Sequence, residues 1–338
     1  MSTALTVLIT TRNGGSVLPR TLEAYCRIDK PSHAWKMVIV DNGSVDATPE
    51  ILTSFRKRLP LETFQYPIAG QNRARNFGLN FIEGRMVVLT DDDAVPDPSF
   101  LAAWSEYLDR QFEYEILGGS IDLLFESPPP KWVLKNKAHF ALQFAFRDLP
   151  EGPVAADEVF SPNMVVRASV FKNGFRFSEN IGPSDDPNYP MGSETEFCRR
   201  AARNGARAWF AKEPRVRHII RSSLLSRSSW TKRFYRHGRG FARQTWEAGQ
   251  APPRYIFRPF MIDQAWRLYH RLRMLSPSSV QSIQSMQSYY WKQGFADEWK
   301  TQRAAAVTRS RVKDLSNGHS CSRKKSDRLS GRKKKLLI

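Results

Sequence analysis

Three consecutive carboxylates, Asp91-Asp92-Asp93, are the sharpest chemical feature of this chain. Carboxylates this close repel one another unless something neutralises them. A hard divalent cation such as Mg²⁺ or Mn²⁺ does so, because it prefers carboxylate and phosphate oxygens. The plainer reading is a solvated loop, with Asp93 near a helix start at 96–100. Asp41 follows the apolar run Val38-Ile39-Val40 and could bind a base or ribose, or simply close a turn with Gly43. Arg73 and Arg75 open a helical stretch, where a guanidinium could meet phosphate or lie on a solvated face. Glu194 and Glu196 start another helix. One of them could be a general base, and both suit the helix dipole. His218 is a lone histidine after a short strand.

The elements that must position these residues alternate. Leu5–Thr10, Met37–Val40, Thr63–Tyr66 and Met86–Thr90 read as strands, separated by helical spacings such as Leu18, Leu22, Tyr25 and Ala74, Phe77, Gly78, Phe81. Strands alternating with helices of this length predict βαβ units and a parallel sheet. Apolar strands that stop abruptly at polar residues fit strands buried on both faces. Ligands of such sheets bind beyond the carboxyl ends of the strands. That rule places Thr10–Asn13, Asp41–Ser44 and Asp91–Asp93 on one edge. Farther on, 116–125 reads as a strand pair or one bent strand, and 164–166 as a buried strand. Ser178–Met191 is a fourteen-residue Pro/Gly/Asp loop, long enough to suggest a functional role. Helical spacing fills 228–247, 257–275 and 279–300.

Composition narrows the classes. With 41% hydrophobic and 25% charged residues over 338 positions, the chain can bury a large core, which excludes collagen, coiled coil and wholesale disorder. No apolar run approaches the roughly 20 residues of a membrane span, and the first residues lack the basic start of a signal peptide. Three scattered cysteines give neither a disulfide framework nor zinc spacing. A cytoplasmic compartment is the expectation, with peripheral contact at the inner membrane face as a further one. The net charge of +19 is uneven. Residues 1–214 hold 24 basic against 27 acidic side chains, whereas 215–273 hold 14 against 2 and 301–338 hold 12 against 2. Two basic C-terminal segments therefore follow a near-neutral body, and such segments seek a polyanion or an anionic membrane. Aromatic residues interleaved with arginine over 225–275 fit either a membrane-surface helix or a helical subdomain packed on the core.

Several motifs together resemble family 2 glycosyltransferases of the GT-A fold. They are Leu8-Ile9-Thr10-Thr11-Arg12-Asn13, Ile39-Val40-Asp41-Asn42-Gly43-Ser44-Val45-Asp46, Asn72-Arg73-Ala74-Arg75-Asn76-Phe77-Gly78 and Leu89-Thr90-Asp91-Asp92-Asp93. Gly192-Ser193-Glu194-Thr195-Glu196-Phe197 with Arg199, and Val216-Arg217-His218, are similar to that family's late acidic segment and closing histidine. The resemblance spans about 4–220. It implies a Rossmann-like, mostly parallel sheet with flanking helices and an inverting transferase that uses a nucleotide sugar (UDP-, GDP- or dTDP-linked). It implies that Thr10, Arg12, Asp41, Arg75, Asp91 and Asp92 bind the nucleotide. Asp93, with His218, would hold a divalent cation (Mn²⁺ or Mg²⁺), and Glu194 would deprotonate the acceptor hydroxyl. The family's pattern has two acidic residues where this chain has Ser193 and Glu194, so Glu196 stays open as the base.

The expected organisation is a catalytic domain over 1–222, a helical extension over 223–302 and a basic disordered tail over 303–338. The expected function is sugar transfer to a glycan or lipid-linked acceptor, with anionic membrane contact through 225–275 and 303–338 and without nucleic acid. The competing readings are an inactive transferase-like scaffold that binds a polyanion, and a nucleotidyltransferase. The latter is disfavoured by the lack of a glycine- and lysine-rich N-terminal loop.

Overall fold

A computed structural model describes residues 3–110, 113–276 and 279–330. Nine strands form one mixed sheet: β1 (Leu5–Thr11), β2 (Trp35–Asp41), β3 (Leu61–Gln65), β4 (Met86–Asp91), β5 (Ala94–Pro96), β6 (Ile116–Phe125), β7 (Gly152–Val154), β8 (Met164–Arg167) and β9 (Ala208–Ile220). Their order is β3-β2-β1-β4-β8-β6-β9-β5, with β7 paired to β9. The first four strands run parallel, as their βαβ connections require. The helices between them are α1 (Leu18–Tyr25), α2 (Thr48–Phe55) and α3 (Gln71–Gly78), followed by α4 (Phe100–Asp109).

Register sets the site. Thr10 lies opposite both Val40 and Asp91, and Thr11 opposite Asp41. The three polar strand ends thus share one edge of the sheet, as their spacing predicts. Two apolar layers sandwich it, because β1, β2 and β4 are buried on both faces. Leu5, Val7 and Ile9 pack toward α1, α2 and α4, and Leu8, Val38 and Val40 toward α3.

Two elements differ from the sequence reading. The helix expected at 96–100 does start at Phe100, but a strand precedes it directly after the carboxylate triplet. This strand is β5, which pairs antiparallel with β9 so that Ala94 lies opposite His218. The short strand read before His218 is β9, which extends from Ala208 to Ile220 and carries His218 within it. Its length follows from lying between β6 and β5 with hydrogen-bonding partners on both sides.

Short helices α5 (Lys131–Leu134), α6 (Phe140–Phe144) and α7 (Ala168–Lys172) fill the middle of the chain. Then come α8 (Ser193–Arg203), α9 (Arg227–Glu247), α10 (Phe260–Arg273) and α11 (Val280–Ser330). Helices α9 and α11 press together through glycines: a Cβ on Gly238 would lie 2.0 Å from the Trp291 carbonyl oxygen, and one on Gly294 1.9 Å from that of Tyr235. The fully buried Glu298 of α11 accepts from Arg239 and Arg243 of α9. Trp230 and Phe234 are buried, and Trp246 packs edge-on against Trp299. Most aromatics of α9 therefore face inward, in line with the packed-subdomain reading, while Phe241 is exposed. On α10, Met261, Leu268 and Leu272 face outward. Helix α11 continues to Ser330, into the segment expected to be disordered. Ala304-Ala305-Ala306 and the Lys/Arg residues beyond are good helix formers. Residues 331–338, the end of the expected tail, lie outside the described residues. Among the described residues no helix is long and apolar enough to cross a membrane.

Candidate active site

The sheet edge opens into two adjoining cavities. The larger, about 460 Å³, is lined by Asp91, Asp92, Asp93, Glu194 and His218. The smaller, about 200 Å³, is lined by Thr10, Thr11, Arg12, Asn42 and Arg221. Gln71, Asp92 and Pro183 line both, so they form the partition between the two. The long 178–191 loop supplies Gly182, Pro183, Tyr189 and Met191 to the larger cavity. Asn72 holds the start of that loop by donating to the carbonyls of Ser178 and Ile181, at 2.7 and 2.8 Å.

The three carboxylates are not equivalent. Asp91 ends β4 with its Oδ1 3.6 Å from Arg75 and 3.1 Å from the donating Ser161 hydroxyl. Burial nevertheless pushes its carboxyl up to about 6, with Arg75 pulling the other way. Asp92 accepts from Thr11 Oγ1 at 2.5 Å. Burial, then the neighbouring Asp93, raises it too. Burial also opposes ionisation of Asp93, but His218 outweighs it and holds Asp93 below the usual carboxylate range. His218 Nε2 lies 3.3 Å from Asp93 Oδ1, and its Nδ1 lies 2.7 Å from the Phe144 carbonyl oxygen. Burial acts to lower His218, yet Asp93 raises it above the ordinary value.

This pair fits a divalent cation. The Phe144 carbonyl can accept only from Nδ1–H, so neutral His218 presents its Nε2 lone pair on the side of Asp93. Among the described residues no three His, Cys, Asp or Glu side chains converge into a closed metal cage. A cation at Asp93 and His218 would keep open positions for ligand oxygens, which suits a catalytic rather than a structural metal.

The structure separates the two candidate bases. Gly192, at φ +96° and just before α8, takes the left-handed conformation that turns the chain into the helix. Glu194 then lines the larger cavity, its Oε2 accepting from Ser193 at 3.1 Å. Glu196 is buried and accepts twice from Arg200, at 2.6 and 3.1 Å. Residues two apart on a helix do not share a face.

Two other candidates stand behind the walls. Arg75 is 3% exposed, donates to Ser161 at 2.9 Å and lies over the Phe177 ring. Asp41 is buried and accepts from the Ser44 amide at 2.9 Å. It shapes the turn that carries Asn42, whose amide is spent on the carbonyls of Tyr66 and Ile68. Neither Arg75 nor Asp41 lines either of these two cavities. Arg73 pairs loosely with Glu179. Thr10 and Arg12 do face the smaller cavity. The Thr10 hydroxyl is buried without a partner, and Arg12 pairs with Asp185 at 2.7 Å.

Sequence reading missed the cations. Arg221 follows β9 and Arg233 sits on α9; each lines a cavity, and the Nε of each is buried without a hydrogen-bond partner. Their only trace was the charge excess over 215–273, which read as a polyanion-seeking surface. Arg221, Arg233, Arg239 and Arg243 instead turn part of that charge inward.

Comparisons agree with this fold. The computed fold superposes on the Staphylococcus aureus TarS fragment 1–349 at a TM-score of 0.50 and 15% identity, covering 89% of this chain and 92% of that one. It superposes on a Pyrobaculum calidifontis mannosyltransferase, solved with GDP-Man and Mn²⁺, at 0.51 and 16%, covering 94% and 80%. In sequence, the poly(ribitol-phosphate) beta-N-acetylglucosaminyltransferase TarS of S. aureus is 22% identical over 197 residues, which is 55% of this chain. A dodecaprenyl-phosphate galacturonate synthase of Rhizobium johnstonii is 31% identical over 110 residues, which is 30% of this chain. The match spans 31% of the length of each of these two relatives. Residues 6–175, half of the chain, match the glycosyl transferase family 2 model. The chain belongs to glycosyl transferase family 2.

Proposed function

We propose that this protein is a metal-dependent glycosyltransferase that moves a sugar from a nucleotide-sugar donor to a hydroxyl of a glycan or lipid-linked acceptor, with inversion. The observation that carries the proposal is one cavity lined by both a carboxylate free to act as base, Glu194, and the Asp93–His218 pair.

The nucleoside occupies the smaller cavity, against Thr10, Arg12 and the Asn42 turn. Its diphosphate passes the partition at Asp92 toward Asp93 and His218. A divalent cation bound there would supply positive charge to the diphosphate. Arg221 and Arg233 add more from the protein itself. Burial raises the Asp91 and Asp92 carboxyls above the ordinary carboxylate range, which favours a cation or arginine beside them. Glu194 takes the proton from the acceptor hydroxyl as its oxygen attacks the anomeric carbon. The bond from that carbon to the diphosphate breaks, and its electron pair leaves with the diphosphate. Arg75 and Asp41 act through others: Arg75 fixes Asp91, and Asp41 fixes the Asn42 turn.

UDP, GDP or dTDP is expected to raise the melting temperature only when Mn²⁺ or Mg²⁺ is present. Asp93→Asn should abolish this metal-dependent stabilisation while leaving the fold intact. Failure of all three nucleotides to stabilise the protein, with or without metal, would contradict the proposal.

A further inference from the structure

A second cavity of about 460 Å³ lies between α10 and α11, lined by Tyr255, Arg258, Trp266, His270 and Lys292. Gln287 and Trp291 line both this cavity and the one holding Glu194. The spaces therefore follow one another. The smaller cavity adjoins the reaction cavity at Gln71, Asp92 and Pro183, and the α10–α11 cavity adjoins it at a different boundary, Gln287 and Trp291. If the donor fills the first and spans into the second, the third is left for what the donor meets.

Its chemistry is specific. Trp266 lies parallel to Tyr289, ring centroids 5.9 Å apart and 6° between planes. The Lys292 ammonium sits 4.4 Å over the Trp266 ring. Aromatic walls with few polar groups are the lining that holds the apolar faces of sugar or polyol units. The charged groups lining it, Arg258 and Lys292, are cationic, beside the neutral Gln287 and Ser288. Lys292 and Arg267 share one carboxylate, Asp263, at 2.5 and 2.7 Å. Two cations on one anion leave an excess of positive charge. Arg258 is exposed and forms no ion pair among the described residues. The Nδ1 of His270 is buried without a partner. Among the described residues nothing consumes Arg258 or the His270 Nδ1.

We propose that this cavity is the acceptor subsite, and that it takes a glycan or polyol chain bearing acidic groups, phosphodiester or carboxylate. The proposal rests on the transferase reading: Trp266 and Tyr255 cover the sugar or polyol faces, Arg258 meets the acidic groups with the positive excess around Asp263 behind it, and Trp291 marks the passage to Glu194. Donor binding does not require it, because no residue lining the nucleotide cavity belongs to α10 or α11.

The test titrates the full chain with three oligomers of equal length: a glycerol-phosphate oligomer, an oligogalacturonide and a neutral malto-oligosaccharide. Tryptophan fluorescence reports binding, and UDP, GDP and dTDP are titrated with Mn²⁺ in parallel. At least one acidic oligomer should bind about tenfold or more tightly than the neutral one, and its affinity should fall with salt. The acidic oligomer that binds tells phosphodiester from carboxylate. Arg258→Glu should weaken that binding about tenfold or more, the size expected for losing a charge-assisted hydrogen bond. Arg258 is exposed, so this variant should fold; Trp266→Leu is the second, and nucleotide binding should be unchanged in both. Equal binding of the neutral oligomer, or wild-type affinity in both variants, would overturn the subsite. Nucleotide binding without oligomer binding would overturn the subsite alone. Binding of neither would overturn the transferase reading with it.

Discussion

Glu194→Gln is expected to lower sugar transfer by about 10²- to 10⁴-fold, the range that a positioned general base contributes. Nucleotide and metal binding should persist, because among the described residues the Glu194 carboxylate hydrogen-bonds only with the neighbouring Ser193 hydroxyl. The amide keeps the shape and the hydrogen bond but cannot accept the acceptor's proton. Glu196→Gln is the matched control. Glu196 is engaged by Arg200 on the buried side of α8, so its loss should cost stability while transfer stays within a few-fold of wild type. Steady-state transfer rates of the two variants, with nucleotide affinity measured alongside, check this. A fully active Glu194→Gln protein would remove Glu194 from the chemistry.

Arg75→Met should destabilise the fold by about 3 kcal/mol near neutral pH. Removing one partner of a buried ion pair costs about 3–5 kcal/mol, because the other charge is left uncompensated. The lower end applies here, since Asp91 keeps a fifth of its side chain exposed. The loss should depend on pH, and its sign follows from Asp91. Its folded carboxyl is already raised to about 6 by burial, against the ordinary 3.8. A carboxyl raised on folding favours the folded state at low pH, and that advantage disappears as pH rises through the folded value. Without Arg75 the folded value rises further. Wild type and variant should therefore converge toward pH 5, where Asp91 is largely protonated in both, and diverge fully by about pH 8. Urea unfolding at the two pH values measures the difference. A deficit independent of pH would place the role of Arg75 in packing against Phe177 rather than in holding Asp91.

Much of the fold was legible because buried parallel strands leave a plain signature. β1, β2 and β4 are unbroken apolar runs that end at Thr10-Thr11, Asp41 and Asp91. Their alignment on one edge follows from strand direction alone, and the register confirms it. Pairings between distant segments carried no such signature. Asp93 and His218 meet only because β5, three residues long, pairs with β9 more than a hundred residues later. Nothing in Ala94-Val95-Pro96 announces that partner. The Glu194–Glu196 ambiguity had a local solution in helix geometry, since side chains two apart point to different faces, and only a fixed helix start could say which one faced the cavity. The arginines of α9 were counted correctly and placed wrongly. A helix with polar residues on several faces does not reveal that Arg233 lines a cavity while Arg239 and Arg243 neutralise a buried glutamate. Arg75 and Asp41 matched the motifs, and their burial shows them supporting the wall of the site rather than forming it.

The central claim is a single displacement driven by one carboxylate on the acceptor side and a cation-binding pair on the donor side. The most direct measurement is the anomeric configuration of the product, by proton NMR, from a UDP-, GDP- or dTDP-sugar whose anomeric linkage is known. One displacement inverts the anomeric carbon, so an α-linked donor should yield a β-linked product, formed only when Mn²⁺ or Mg²⁺ is present. A product that retains the donor's configuration, or equal turnover in the presence of a chelator, would contradict the account.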